Sequence, residues 1–264
     1  MSSVSSVVQS VIGLRSTGMV SDVHRMSVVY WIPFATTIVA LAFATIVLRR
    51  YAERRGTHLL WWGVGLLIYG VGTFTESMTT LLGWNEWIFR AWYISGALCG
   101  GAPLAQGTVY LMMRRRTANL LALLLVTAIG VGAFFVIVSP IDYSLVEAHR
   151  LSGRVLAWHG VRMVSPFINT YAAIFLIGGA IVSALRYRTQ PEKRNKYVGN
   201  ILIAVGALLP GIGGTFTRFG HVEVLYVTEF VGLLLIFAGY RANIGQARIN
   251  IETAPTGTTN AVIT

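Results

Sequence analysis

Charge is what this chain has least of. Only 12% of its 264 residues are Asp, Glu, Lys or Arg, about half the roughly 25% of a soluble globular domain. Hydrophobic residues make up 55%, so the composition is that of a membrane protein. Cysteine is nearly absent. The single Cys99 excludes a disulfide framework, an iron–sulfur centre and a thiolate zinc site within one chain. Acids are scarce beside bases, 10 against 21 for a net charge of +11. Nucleic acid needs a basic face on a soluble surface, and too few polar residues remain to build one.

Long apolar runs are what the chain has in quantity. A bilayer-spanning helix takes about 20 mostly apolar residues. Seven such windows occur, over about 28–48, 58–82, 88–112, 118–138, 160–185, 198–218 and 222–240. The connections are short, the longest being about 20 residues between the fourth and fifth windows. The expected organisation is an external N-terminal tail (1–26), a seven-span domain (27–240) and a disordered cytoplasmic tail (241–264). The first segment is rich in Ser and Val and has no base before Arg15, so it lacks the positive n-region of a signal peptide. The last stretch, ETAPTGTTNAVIT, has turn formers and no core pattern, as disordered ends do.

Orientation follows from the bases, because short cytoplasmic loops carry the excess of Lys and Arg. Arg49, Arg50, Arg54 and Arg55 follow the first span, Arg114, Arg115 and Arg116 the third, and Arg186, Arg188, Lys193, Arg194 and Lys196 the fifth. With Arg241 and Arg248, fourteen of the 21 bases fall on one side, against Glu53, Glu192 and Glu252. The expected topology is N-terminus outside and C-terminus cytoplasmic, in a multi-pass protein of the cell inner membrane. Trp31, Trp84, Trp87, Trp92 and Trp158 fall at the outer ends of their windows, where amphipathic rings sit. The net charge is thus a topology signal.

An internal repeat is visible. Pro33-Phe34 in the first span matches Pro166-Phe167 in the fifth, and Arg50-Tyr51 matches Arg186-Tyr187. Gly72-Thr73-Phe74-Thr75 ends the second span as Gly214-Thr215-Phe216-Thr217 ends the sixth, and Glu86-Trp87-Ile88-Phe89 opens the third as Glu223-Val224-Leu225-Tyr226 opens the seventh. Four landmarks in one order, at offsets between 133 and 142, point to a duplication. Repeat one covers 27–113, a linker helix 118–138, and repeat two 160–240. Both copies enter the membrane in the same direction, so the fold expected is all-α, polytopic, with seven transmembrane helices in a parallel 3+1+3 repeat.

That pattern resembles the architecture of the SWEET and PQ-loop transporters and of the small vitamin-uptake transporters related to them. PQ-loop proteins carry Pro-Gln in helices 1 and 5; Pro33 and Pro166 stand at the matching positions, with Phe34 and Phe167 in place of Gln. The resemblance implies a binding site between the repeats and a hinge role for the prolines. Seven helices with the N-terminus outside are also similar to microbial rhodopsins, but those hold retinal on a lysine in helix 7. Here the lysines are Lys193 and Lys196, both in a loop, which excludes a Schiff-base photoreceptor.

Ionisable residues inside the bilayer are functional candidates by default, since each costs roughly 2.5–3.5 kcal/mol on insertion scales. Glu229 lies seven residues into the last window, about 10 Å deep at 1.5 Å per residue. Glu76 and Arg218 occupy matching places after the two Gly-Thr-Phe-Thr runs, an acid in one repeat and a base in the other. Arg90 and Arg162 lie about one turn into the third and fifth windows. Arg162 reads as a snorkelling side chain, and Arg90 as a partner for Glu76 or Glu229. Asn169, one turn after Pro166, is placed to satisfy backbone groups the proline frees. The candidate solute site is therefore Glu76, Arg90, Asn169, Arg218 and Glu229, with a structural lock of the outer helix ends as the plain alternative. Pro33, Pro166 and Pro210 are the candidate hinges.

His24, His58, His149, His159 and His221 have no metal-ligand spacing, and no cofactor motif or catalytic constellation is present. No metal, cofactor or enzymatic activity is expected. The expected partners are the lipid bilayer, a small polar or amphipathic solute, and a second copy or a membrane-complex subunit. The function that fits is a small transporter or permease; a seven-helix sensor without retinal and a non-catalytic structural subunit are the alternatives.

Overall fold

The computed structural model describes residues 29–148 and 150–252, with side chains to 244. The expected N-terminal tail, 1–26, and residues 253–264 lie outside the described residues. Among the described residues six continuous helices are long and apolar enough to cross a membrane, so the all-helical fold is compatible with an integral membrane protein. They are α1 (Ile32–Arg54), α2 (Thr57–Leu82), α4 (Arg115–Val138), α5 (His159–Tyr187), α6 (Arg194–Thr217) and α7 (Val222–Glu252).

The window expected over 88–112 is not one helix. Here α3 opens at Glu86–Trp92, widens into a π-helical stretch over Tyr93–Cys99, breaks, and resumes at Ala102–Met112. Gly100 takes φ 46° at the break, a conformation that costs glycine nothing. Pro103 follows in the first turn of the second half, where its missing N–H has no partner to lose. Both halves and the π-helical stretch pack along α2, so the interrupted segment runs the length of its neighbour. A second π-helical stretch, Ala173–Gly178, lies within α5 against the second half of α3.

Packing orders six of the segments in a closed ring: α1 on α2, α2 on α3, α3 on α5, α5 on α6, α6 on α7, and α7 back on α1. The remaining helix, α4, packs outside against α3 and α5 and turns Leu123, Leu124 and Phe134 outward. The tightest seam is α6 against α7. A Cβ at Gly206 would stand 2.6 Å from the Gly232 carbonyl oxygen, and one at Gly199 would stand 2.8 Å from that of Gly239. Small residues at heptad spacing let these two backbones touch.

Two expectations about segments change. The tail expected from 241 onward is helical as far as Glu252, because 241–252 contain no proline and several good helix formers. Pro33 sits in the first turn of α1, where it interrupts nothing. Pro166 and Pro210 do lie inside α5 and α6, and both helices run through them.

Candidate functional site

Of the five polar residues expected together, two meet. Glu76 on α2 and Glu229 on α7 bring their carboxyls face to face, although α2 and α7 are not ring neighbours. The contact therefore crosses the ring interior at the tryptophan-rich end. Glu76 is buried, and its Oε1 accepts from Trp92 Nε1 at 2.9 Å. Glu76 Oε2 and Glu229 Oε2 are shielded from solvent and have no donor among the described residues. An ionised carboxylate only accepts, so a proton carried by one carboxyl would supply the facing one with a donor. Tyr69 strengthens the crossing, donating its hydroxyl to the Glu229 backbone carbonyl at 3.0 Å.

Arg90 does not join this pair. Its Nε and Nη2 reach Glu86 Oε1 at 3.0 and 2.7 Å, Nη2 also donates to the Ser139 carbonyl at 3.0 Å, and Nη1 donates to the Val136 carbonyl. Glu86 is one helical turn away (i, i+4), so it is the nearer partner, and the two carbonyls are end groups of α4 that no helix N–H satisfies. Glu86 Oε2 accepts the Tyr143 hydroxyl at 2.7 Å. The Tyr143 hydrogen bond, then the Arg90 bonds, hold the Glu86 carboxyl below its ordinary range, and the same hydrogen bond pushes the Tyr143 hydroxyl up. This cluster ties the start of α3 to the end of α4 and the loop beyond it.

The other expected residues stand apart. Arg218 is exposed just past α6; its backbone N–H bonds the Thr215 carbonyl, and its side chain makes no hydrogen bond or ion pair among the described residues. Arg162 lies beside His159, Nη2 to Nδ1 at 3.0 Å. Asn169 does serve backbone groups, donating from Nδ2 to the carbonyls of Ala97 and Ser165, each at 2.9 Å. The α3 interruption rather than the proline sets this role: Ala97 lies four residues before Gly101, at the broken turn.

A cavity that sequence reasoning missed fills the ring interior at the arginine-rich end. Its volume is about 400 Å³, and it is lined from α1, α2, the second half of α3, α5, α6 and α7. Much of the wall is apolar, with Leu66, Leu104 and Leu176, and Thr108, Ser183, Asn200 and Asn243 add neutral polar groups; Arg50, His58 and Lys196 line the arginine-rich end. Neither Glu76 nor Glu229 lines it. No single residue signals such a space, because it exists only where six segments fail to meet. Among the described residues no group of three or more His, Cys, Asp or Glu is placed to hold a metal ion. The chain matches no family model and no curated protein.

Proposed function

We propose that this chain is a small-solute transporter or permease of the cell membrane, with its solute site in the central cavity. One observation carries the reading: a cavity of about 400 Å³, within the usual range of ligand pockets, lies inside the ring, and the Glu76–Glu229 carboxyl pair crosses the ring beyond it, at the tryptophan-rich end. The ring order supports the parallel 3+1+3 repeat, since α1–α3 and α5–α7 follow one another around it with α4 outside. It agrees with the resemblance to SWEET and PQ-loop architectures and their site between repeats. With the arginine-rich loops cytoplasmic, the arrangement is an inward-facing state.

In this reading Glu76 and Glu229 form the outer gate. Held by one shared proton, the carboxyls keep α2 and α7 together; loss of that proton leaves two like charges in contact and drives them apart. Glu229 is then the proton-responsive group, and Pro166 and Pro210 mark where α5 and α6 flex. The test is uptake into proteoliposomes of a radiolabelled panel of organic acids, amino acids and sugars, under an imposed pH gradient. The intact protein should accumulate at least one class and Glu229→Gln should not. Equal uptake by both, or by neither, overturns the assignment.

A further inference from the structure

The bases at the arginine-rich end fall into two groups. Arg49, Arg54, Arg55, Arg186 and Arg188 are exposed, as residues that only set topology should be. Arg50, Lys196 and His58 are half-buried and line the cavity, and among the described residues no carboxylate lines it with them. The Lys196 ammonium stands 5.4 Å from the centroid of the Tyr187 ring, which lines the same space. Cations turned into a confined space without an acid call for an anion.

A second observation is independent of charge. Tyr240 lines the cavity and is only 6% exposed. Its ring is packed by Phe43 at 5.2 Å and Trp62 at 6.2 Å between centroids. The hydroxyl lies beside the Arg50 guanidinium, which can only donate to it, and its own proton finds no acceptor among the described residues. A buried hydroxyl proton seldom goes without an acceptor. Here the missing partner would be an acceptor in the cavity.

We infer that the cavity binds an amphipathic anion, its carboxylate or phosphate head on Arg50, Lys196 and the Tyr240 hydroxyl, its apolar body along the Trp62, Leu104 and Leu176 walls. The inference rests on the proposed function only in taking the same cavity as the solute site. The chemistry fits a free single-chain or ring-bearing acid and the head of an acidic lipid alike, and the test separates the two.

The probe is terminally brominated undecanoate, a heavy-atom quencher of indole, added to the full chain in nanodiscs. Quenching should saturate, should vanish in Trp62→Phe, and should need about tenfold more probe in Arg50→Gln/Lys196→Gln, the loss expected for charge-assisted hydrogen bonds. Brominated undecanol should give no saturable quenching. The charge-conserving Arg50→Lys/Lys196→Arg variant should bind as the intact chain does, which separates lost charge from lost folding. Nanodiscs made with brominated phosphatidylglycerol form the second arm: quenching of Trp62 by the lipid assigns the anion to the bilayer, and quenching by the free acid alone assigns it to the aqueous phase. Equal saturable quenching by the alcohol, unchanged affinity in the double Gln variant, or no Trp62 quenching by either probe overturns the site. Binding without uptake leaves the anion site standing and removes transport; uptake of neutral solutes with no undecanoate binding does the reverse.

Discussion

Glu76 and Glu229 sit on helices that are not neighbours in the ring, and their carboxyls meet across it with two buried oxygens that no described group satisfies. Two like charges in contact out of water repel, so a proton shared between the carboxyls would hold them together. Glu229→Gln keeps a donor at the same place, so its thermal midpoint should stay near that of the intact chain. Glu229→Ala removes the donor and leaves the Glu76 carboxyl buried alone, at a cost of about 1–3 kcal/mol. Thermal unfolding of both variants in one detergent checks this; equal losses would show that the proton is not what joins them.

Arg90 binds an acid and two helix-end carbonyls with one planar fork. Arg90→Ala strands both carbonyls and should destabilise by about 2 kcal/mol. Arg90→Lys should recover only part of it, because an ammonium cannot reproduce the fork. Denaturation midpoints of the two variants are the measurement.

Acid should loosen the same cluster. The Glu86 carboxyl is held below its ordinary value by the Tyr143 hydroxyl and Arg90. A depressed acid contributes stability that is fully present above its unfolded value and is lost as pH falls through the folded one. The thermal midpoint should therefore hold steady above about pH 4.3, the unperturbed Glu value, and drop below it. Tyr143→Phe should flatten that drop. A Tyr143→Phe profile identical to that of the intact chain would remove Glu86 as its source.

The α6–α7 seam gives a paired test. Gly206→Ala puts a Cβ 2.6 Å from the Gly232 carbonyl oxygen, and overpacking of that kind costs about 1–3 kcal/mol. A Cβ at Gly211, on the same helix, meets nothing within 4 Å, so Gly211→Ala should be neutral or slightly stabilising through helix propensity. Loss of the folded peak in size-exclusion chromatography for Gly206→Ala alone is the expected pattern.

The sequence made the helices legible and the pairings illegible. Six of the seven windows came out as continuous spans because about 20 apolar residues form a helix wherever water is excluded. The break in α3 was partly readable, since Gly100, Gly101 and Pro103 stand together in the sequence; its position depended on Asn169 reaching across from α5 to take the Ala97 carbonyl. Arg90 went to Glu86, one turn away, and α6 left Arg218 outside the bundle. Residue type gave each of them a plausible partner. Direction around the helix, which hydropathy does not encode, decided which partner each one took.

Composition and the distribution of bases by themselves determined an all-helical chain with most of its bases gathered at loops, because the free energy of moving a residue out of water depends strongly on residue type. Tertiary structure decided that Glu76 and Glu229 meet, that Arg50, Lys196 and Tyr240 share a cavity, and that the cavity lies at the arginine-rich end. Those are distances between segments far apart in the chain. They are fixed by how six helices close into a ring, and no local pattern carries them.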